Sequence, residues 1–320
     1  MTLPQQRLPG TTYFISAVCE RRECRLPPTE ETAGAIAVAL YDAAERYRVK
    51  VVAVSVPNNH MHLVVYDELG LVSEFMRDVN SVVARFGNAR DGVKGWGFWD
   101  RQQVVCVALG DARSVVDKVA YTMANPVTSF LVERLEEWPG LNTRLEDLGR
   151  WRGTVHRRPA RFFREGGRVS EVVEVASELP PMVEAAYGVE GFARRVGARM
   201  EELMASARAE AAAKGHGFLG VERVLARGVW FRPKSSTKRK AGREAEAIRR
   251  VAAGERRLAR MMAEALLMFR RAHRAAWEAF RRGLEVVFPA GTYKAWRWYG
   301  AERAAGRGGD VGGGLPAPSG

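Results

Sequence analysis

Val51 to Val56 reads Val-Val-Ala-Val-Ser-Val, apolar at every position but one. Such a run has no helical period and no polar face, so it fits a strand buried on both sides. A strand of that kind belongs inside a layered sheet, and the flanking residues supply the other pieces. Thr12 to Cys19 is a β-prone run. Thr29 or Thr32 can cap a helix running to about Tyr47. Pro57-Asn58-Asn59 signals a turn, and His60 to Tyr66 follows as a strand. Val72, Phe75, Met76, Val79, Val82, Val83 and Phe86 have the spacing of an amphipathic helix. Gly87 to Gly97 reads as a polar loop, and Val104 to Leu109 as a fourth strand. Asp111 is an N-cap for a helix to about Asn125, where Pro126 fits its end. The order is β-α-β-β-α-β followed by a helix. That is the split βαβ pattern of an α+β, ferredoxin-like domain. Its antiparallel sheet is expected to carry helices on one face and to leave the other available for a ligand.

Beyond Trp138 the character changes. Three regions are expected: a compact domain over 1–150, a mostly helical basic extension over 151–300, and a Gly/Pro-rich tail over 301–320 without core-forming content. Within the extension, 169–214 reads as helical, broken at Pro180-Pro181 and Gly188, and 215–229 as a linker or small motif. A long helix is expected from about Arg243, with Ile248, Val251, Leu258, Met262, Leu266, Phe269, Trp277, Phe280 and Leu284 in one stripe and Gly254 as its one interruption.

Charge locates the next clue. The chain carries 50 Lys+Arg against 37 Asp+Glu, a net of +13. Residues 232–282 hold 16 basic and 5 acidic side chains, so +11 of that surplus sits in one segment. A local basic segment points to a polyanion, most often nucleic acid, gripped by its phosphates. Arg239, Lys240, Arg249, Arg250, Arg256 and Arg257 are the candidate contacts. Trp277, Trp296, Trp298 and Tyr299 are aromatic candidates for base stacking, Trp277 reading better as a buried ring. No apolar run approaches the ~20 residues of a membrane helix. The polar start lacks a secretory core, and three cysteines without a CxxC give no disulfide framework. A cytoplasmic, nucleoid-associated protein is expected.

The residues that carry chemistry are few. In a strand, His60 and His62 point to one face, while Met61, Leu63 and Val65 point into the opposite core. Two neutral imidazoles on one face suit a divalent metal but supply only two ligands. On the following helix, Tyr121 and Asn125 lie four residues apart on one face, with Asp117 beside them. Val115, Val116, Val119, Ala120 and Met123 face the sheet. A tyrosine hydroxyl is a poor nucleophile near neutral pH, its pKa being about 10. A metal on a neighbouring phosphate offsets that weakness. His156, His216 and His273 show no ligand spacing, and the glycines after Gly306 do not form a phosphate loop.

His60-Met61-His62 after Val-Pro-Asn-Asn, with Tyr121-x-x-x-Asn125-Pro126-Val127 about sixty residues later, resembles the single-tyrosine HUH transposases, and within them the REP-associated tyrosine transposases. Trp99-Asp100-Arg101 and Glu136-Glu137-Trp138-Pro139 are similar to segments of that group. The resemblance spans roughly residues 8–150. It implies metal-dependent cleavage and rejoining of single-stranded, hairpin-containing DNA. The cofactor would be Mg²⁺ or Mn²⁺, and Tyr121 the nucleophile that forms a 5′-phosphotyrosine. His60 and His62 would be metal ligands, and Asn125 the polar third ligand. A homodimer is compatible with this reading. Two departures stand out: the histidine usually found between the tyrosine and Asn-Pro-Val is absent, and about 170 residues follow the matching region. The competing reading is a non-catalytic DNA-hairpin-binding or architectural protein on the same fold.

Overall fold

The computed structural model describes residues 3–100, 105–157, 162–163, 166–233, 247, 249–293 and 302–303. Its centre is a sheet built from β1 (Thr11–Val18), β2 (Val49–Ser55), β3 (His60–Asp67) and β4 (Val105–Leu109). The helices α1 (Glu30–Tyr47) and α2 (Val72–Arg90) connect them in β-α-β-β-α-β order. β1 pairs antiparallel with both β3 and β4, and β2 pairs antiparallel with β3. This is the ferredoxin-like arrangement expected, with α3 (Ala112–Met123) and a single turn, α4 (Asn125–Thr128), after it.

Local chemistry sets the element ends. Thr29 caps α1 by accepting the Thr32 N–H at 3.3 Å. Buried Asp67 accepts the N–H groups of Leu71 and Val72 at 2.9 and 2.8 Å and so starts α2. Asp111 forms a capping box with Ser114 at the head of α3. The helix α2 continues through Gly87 to Arg90, where the sequence suggests a loop. Gly87 is there for its size: a Cβ would lie 2.1 Å from the ring of Phe98, which packs on the helix.

Both faces of the sheet are covered. Met61, Leu63 and Val65 face one core with Ile36, Leu40, Phe75 and Val79 of α1 and α2. Phe14, Val64 and Val107 face a second core with Val115, Val119 and Met123 of α3. The expectation of an open second face is therefore corrected. α3 and then α5 (Pro181–Ala213) lie over it, because each carries an apolar stripe that needs burial.

The segments after 150 share these cores. β5 (Trp151–His156) and β6 (Val172–Ala176) form an antiparallel pair, and Val173 is buried in the α1/α2 core. Ser170 donates from both N–H and Oγ to Asp42 of α1, each at 2.9 Å. Residues 172–176 alternate exposed and buried valines and are a strand, not the helix expected from 169. The break at Gly188 is present as a kink in α5, with φ of 60°. Phe192 and Val196 of α5 are fully buried against the α3 layer. α6 (Val221–Ala226) follows.

The basic segment expected as one helix from about Arg243 is broken across 249–255, around Gly254, with Ala247 helical before the break and 243–246 and Ile248 outside the described residues. Val251–Ala252 forms β7, which extends the sheet parallel to β4, giving the order β2-β3-β1-β4-β7. Ala108 donates to the Arg250 carbonyl and Gly110 to that of Ala252. The Gly254 N–H then donates to Asp111 Oδ2 at 2.7 Å, and α7 (Arg256–Arg281) begins beyond it. Val251 thus serves the sheet rather than the helix stripe. β8 (Val287–Phe288) and β9 (Glu302–Arg303) make a small parallel pair. Arg101 and most of the tail lie outside the described residues. No described helix is long and apolar enough to cross a membrane.

Two substitutions test this packing. Phe192→Ala is expected to lower unfolding stability by about 3–5 kcal/mol in urea. The loss should appear in one transition shared with the sheet; a separate, unshifted transition for the first 150 residues would contradict the shared core. Gly87→Ala should cost about 1–3 kcal/mol through overpacking on Phe98.

Candidate active site

Strand alternation and register place the site. On β1–β3–β2, Val18 lies opposite His60, while Ser16 and Ser55 flank His62. The imidazoles of His60 and His62 therefore emerge on the face that α3 crosses, and their ring centroids are 4.5 Å apart. The side chain of Tyr121 comes down from α3 with its ring 5.3 Å from His62. Phe14 of β1 completes the cluster, stacked on His62 at 5.3 Å and edge-on to Tyr121 at 5.8 Å. Tyr121 is nevertheless 37% exposed, while its ring is held by His62 and Phe14.

The end of α3 is fixed from below. Asn142 Nδ2 donates to the Met123 carbonyl at 3.1 Å, and the Val54 N–H donates to Thr143 Oγ1 at 2.9 Å. Buried Trp138 donates from its indole to the Val56 carbonyl at 3.3 Å. These bonds tie residues 138–143 to β2 and seat the helix that carries Tyr121. Asn125, in the turn after α3, is buried and within hydrogen-bond reach of His60. Its Oδ1 accepts from Ser129 Oγ at 3.1 Å.

His60 Nδ1 lies 2.6 Å from Asn59 Oδ1. An amide oxygen only accepts, so Nδ1 carries the proton and the Nε2 lone pair is left for another partner. His62 is 5% exposed, and neither of its ring nitrogens has a hydrogen-bond partner among the described residues. Burial pulls the His60 pKa down to about 4, with the nearby Arg22 guanidinium pushing the same way and Asn125 opposing. Burial, then His60 and Lys118, hold His62 well below the usual imidazole range. Both rings are thus neutral near pH 7 and present lone pairs, the state a metal requires. An orphaned buried imidazole costs about 1–3 kcal/mol unless something fills its valence. The donor set of His60, His62 and the Asn125 amide oxygen fits a divalent cation with remaining positions for water or substrate. No third His, Cys, Asp or Glu joins the pair among the described residues.

Sequence reasoning missed two members. Lys118 lies one turn before Tyr121 on the same face, its Nζ 5.6 Å from the Tyr121 ring centroid and 5.0 Å from that of Phe14. The i, i+3 spacing from Tyr121 was the available signal. Arg22, in a turn over Glu20–Arg22, sits close enough to depress His60; no sequence pattern marks it. Asp117, one turn before Tyr121 on α3, pairs with Arg199 of α5 at 3.1 Å. Of the basic candidates, Arg249, Arg256 and Arg257 are exposed, and Arg250 is half-buried at β7. They lie three strands from β3, ~14 Å across the sheet. Arg239, Lys240, Trp296, Trp298 and Tyr299 fall outside the described residues. Trp277 packs beside Phe280 and Phe288.

Burial raises the Tyr121 hydroxyl above its ordinary value, so the tyrosine is protonated at neutral pH. The histidines set a second pH dependence. Unfolded His60 takes up a proton near pH 6.5, but the folded chain resists until about pH 4. The stability linked to the neutral ring is complete above about pH 6.5 and is lost as pH falls toward 4. A pH series of urea unfolding should show this loss, and His60→Gln should reduce the slope there by close to one proton.

Comparisons with known proteins were made against this geometry. No family model matches the chain. No curated protein matches it. Among solved structures, a REP-associated tyrosine transposase bound to a REP hairpin overlaps 46% of this chain and 84% of its own, at 19% identity and a TM-score of 0.39.

Proposed function

We propose that this chain cleaves and rejoins single-stranded DNA at hairpin-containing sequences, as a transposase or a domesticated relative, with Tyr121 as nucleophile. One observation supports this reading above the rest. Neutral His60, orphaned His62, Asn125 and a half-exposed Tyr121 converge on a single patch from three successive elements, β3, α3 and α4. A protein that only binds DNA has no use for that set.

The chemistry is a transesterification. Tyr121 Oη bonds to the phosphorus and the P–O3′ bond breaks. The phenol proton passes to solvent, and the departing 3′ oxygen takes a proton from solvent. The product is a 5′-phosphotyrosine and a free 3′-OH. One phosphodiester is exchanged for another, so a second 3′-OH can reverse the step and join strands. Mg²⁺ or Mn²⁺ held by His60, His62 and Asn125 supplies charge neutralisation and polarisation at the phosphate. Burial alone makes Tyr121 a weaker nucleophile, so positive charge beside it matters. The Lys118 ammonium over its ring favours the phenolate and the incoming phosphate alike. Asn59 holds the His60 ring in its ligating tautomer. The exposed arginines at the start of α7 grip phosphates without reading bases.

Labelled hairpin DNAs incubated with the protein and Mn²⁺, then run on a denaturing protein gel, test this. The wild type should give a labelled covalent band that requires metal. Tyr121→Phe should abolish it, and His60→Ala should reduce it by at least about 100-fold, the loss typical of a missing ligand or its support. Binding with no covalent band across a broad hairpin panel would instead establish a non-catalytic DNA-hairpin module.

A further inference from the structure

Two exposed tryptophans meet on segments far apart in sequence. Trp96 is 58% exposed and Trp230 43% exposed, and their rings meet edge to face with centroids 6.0 Å apart. Large exposed aromatics in one patch mark a binding surface. Beneath them the support is rigid. Arg25 is fully buried, sandwiched under Trp230 and against Phe98 with centroid distances of 4.9 and 4.4 Å. Its donors reach Asp91, Asn88 and the Gly97 carbonyl. The Trp230 segment is fastened to the same loop. Cys24 donates its N–H to the Phe231 carbonyl at 3.0 Å, and Arg232 donates twice to buried Glu23 Oε1, at 3.1 and 2.7 Å.

The patch stands over the loop that follows β1, and that loop borders the turn before His60. The Cys19 N–H donates to the Asn59 carbonyl, and the Glu20 N–H to that of Phe98. Residues 98–99, 19–20 and 59–60 thus run side by side, and two spacings put Phe98, two residues from Trp96, ~10 Å from the chain at His60. Its charge suits a polyanion. Asp91 and Glu23 are already paired, to Arg25 and Arg90 and to Arg232, whereas Arg21 is exposed and Arg227 lies over the Phe231 ring.

We propose that Trp96 and Trp230 form a base-stacking platform for the single-stranded DNA that runs into the Tyr121 site, an inference that rests on the function proposed above. Aromatic faces stack any base, and each stack contributes enough to weaken binding about tenfold when removed. The platform joins the first sheet loop to the extension, so the extension takes part in holding substrate.

Fluorescence anisotropy of the full chain separates stacking from phosphate contact. The probes are a labelled thymidine oligomer of about 12 nucleotides and an abasic oligomer of equal length. The wild type should bind the thymidine oligomer about tenfold or more tightly over the abasic one. Trp96→Ala should lose about tenfold on the thymidine oligomer and nothing on the abasic one, while Trp96→Phe recovers most of the loss. Trp96 is the clean position, because its ring contact is with Trp230 and its carbonyl bond from Asn88 survives the change. Equal wild-type affinity for the two probes, or an unaffected Trp96→Ala, overturns the platform. Tighter binding of a uridine RNA oligomer overturns the choice of DNA. Covalent capture at Tyr121, measured on the same preparation, stands or fails independently of these outcomes.

Discussion

The two-residue alternation of β3 is the constraint on which the rest depends. Met61, Leu63 and Val65 are fully buried against α1 and α2, and that anchoring fixes the register of the strand. A slip of one residue would drive both histidines into an apolar core and pull three large apolar side chains out of the packing that fits them. At about 1.5–3 kcal/mol for each buried side chain, the slip is closed off. The positions of His60 and His62 are therefore dictated by residues that do no chemistry. The helix above them is anchored in the same way, through Val115, Val119 and Met123, so the distance from Tyr121 to the histidines is a property of the core.

Against that rigid background the site departs from ordinary packing. His62 is buried without a hydrogen bond among the described residues, and so are the hydroxyl of its strand neighbour Ser55 and the amide oxygen of Asn142. Ser55 pairs with His62 across β2–β3 and bridges to Asn142 on its other side. Unsatisfied polar atoms in adjacent registers form a row of unmet valence under the pair. A fold meets such a cost where the groups serve a ligand, and the neutral state imposed on both rings keeps their lone pairs available.

Much of this was legible from the chain. The alternation around His60-Met61-His62, the Asp111 cap and the Tyr121-to-Asn125 spacing are local, and local patterns survive folding. What escaped was set by distant residues. Val251 carries a helix-compatible spacing but joins β4 as β7, because the backbone groups at Ala108 and Gly110 need partners and Asp111 takes up the Gly254 N–H. Val172 to Ala176 became a strand because Val173 had a core to enter on α1 and α2. Asp117 and Lys118 are adjacent in sequence, and only the fold shows that Asp117 is taken by Arg199 of α5 while Lys118 lies over the tyrosine ring.

The same dependence explains why the extension is not an appendage. Glu23 is 2% exposed, and a lone buried carboxylate is severely unfavourable. Arg232, from the middle of the extension, is the cation that answers it. Just before it, Arg21 and Arg22 both hold positive φ, at 53° and 59°, a conformation that persists only where surrounding structure enforces it. The turn that aims Arg22 at His60 is thus held on one side by β1 and on the other by residues 230–232. A chain cut at 150 would leave Glu23 without its counterion and remove Trp230 from its place over Arg25. The first sheet loop would then lose the forces that shape it, and the histidine pair would lose the charge that helps keep it neutral. Substrate grip and site geometry are, on this view, two consequences of one contact between the loop after β1 and residues 230–232.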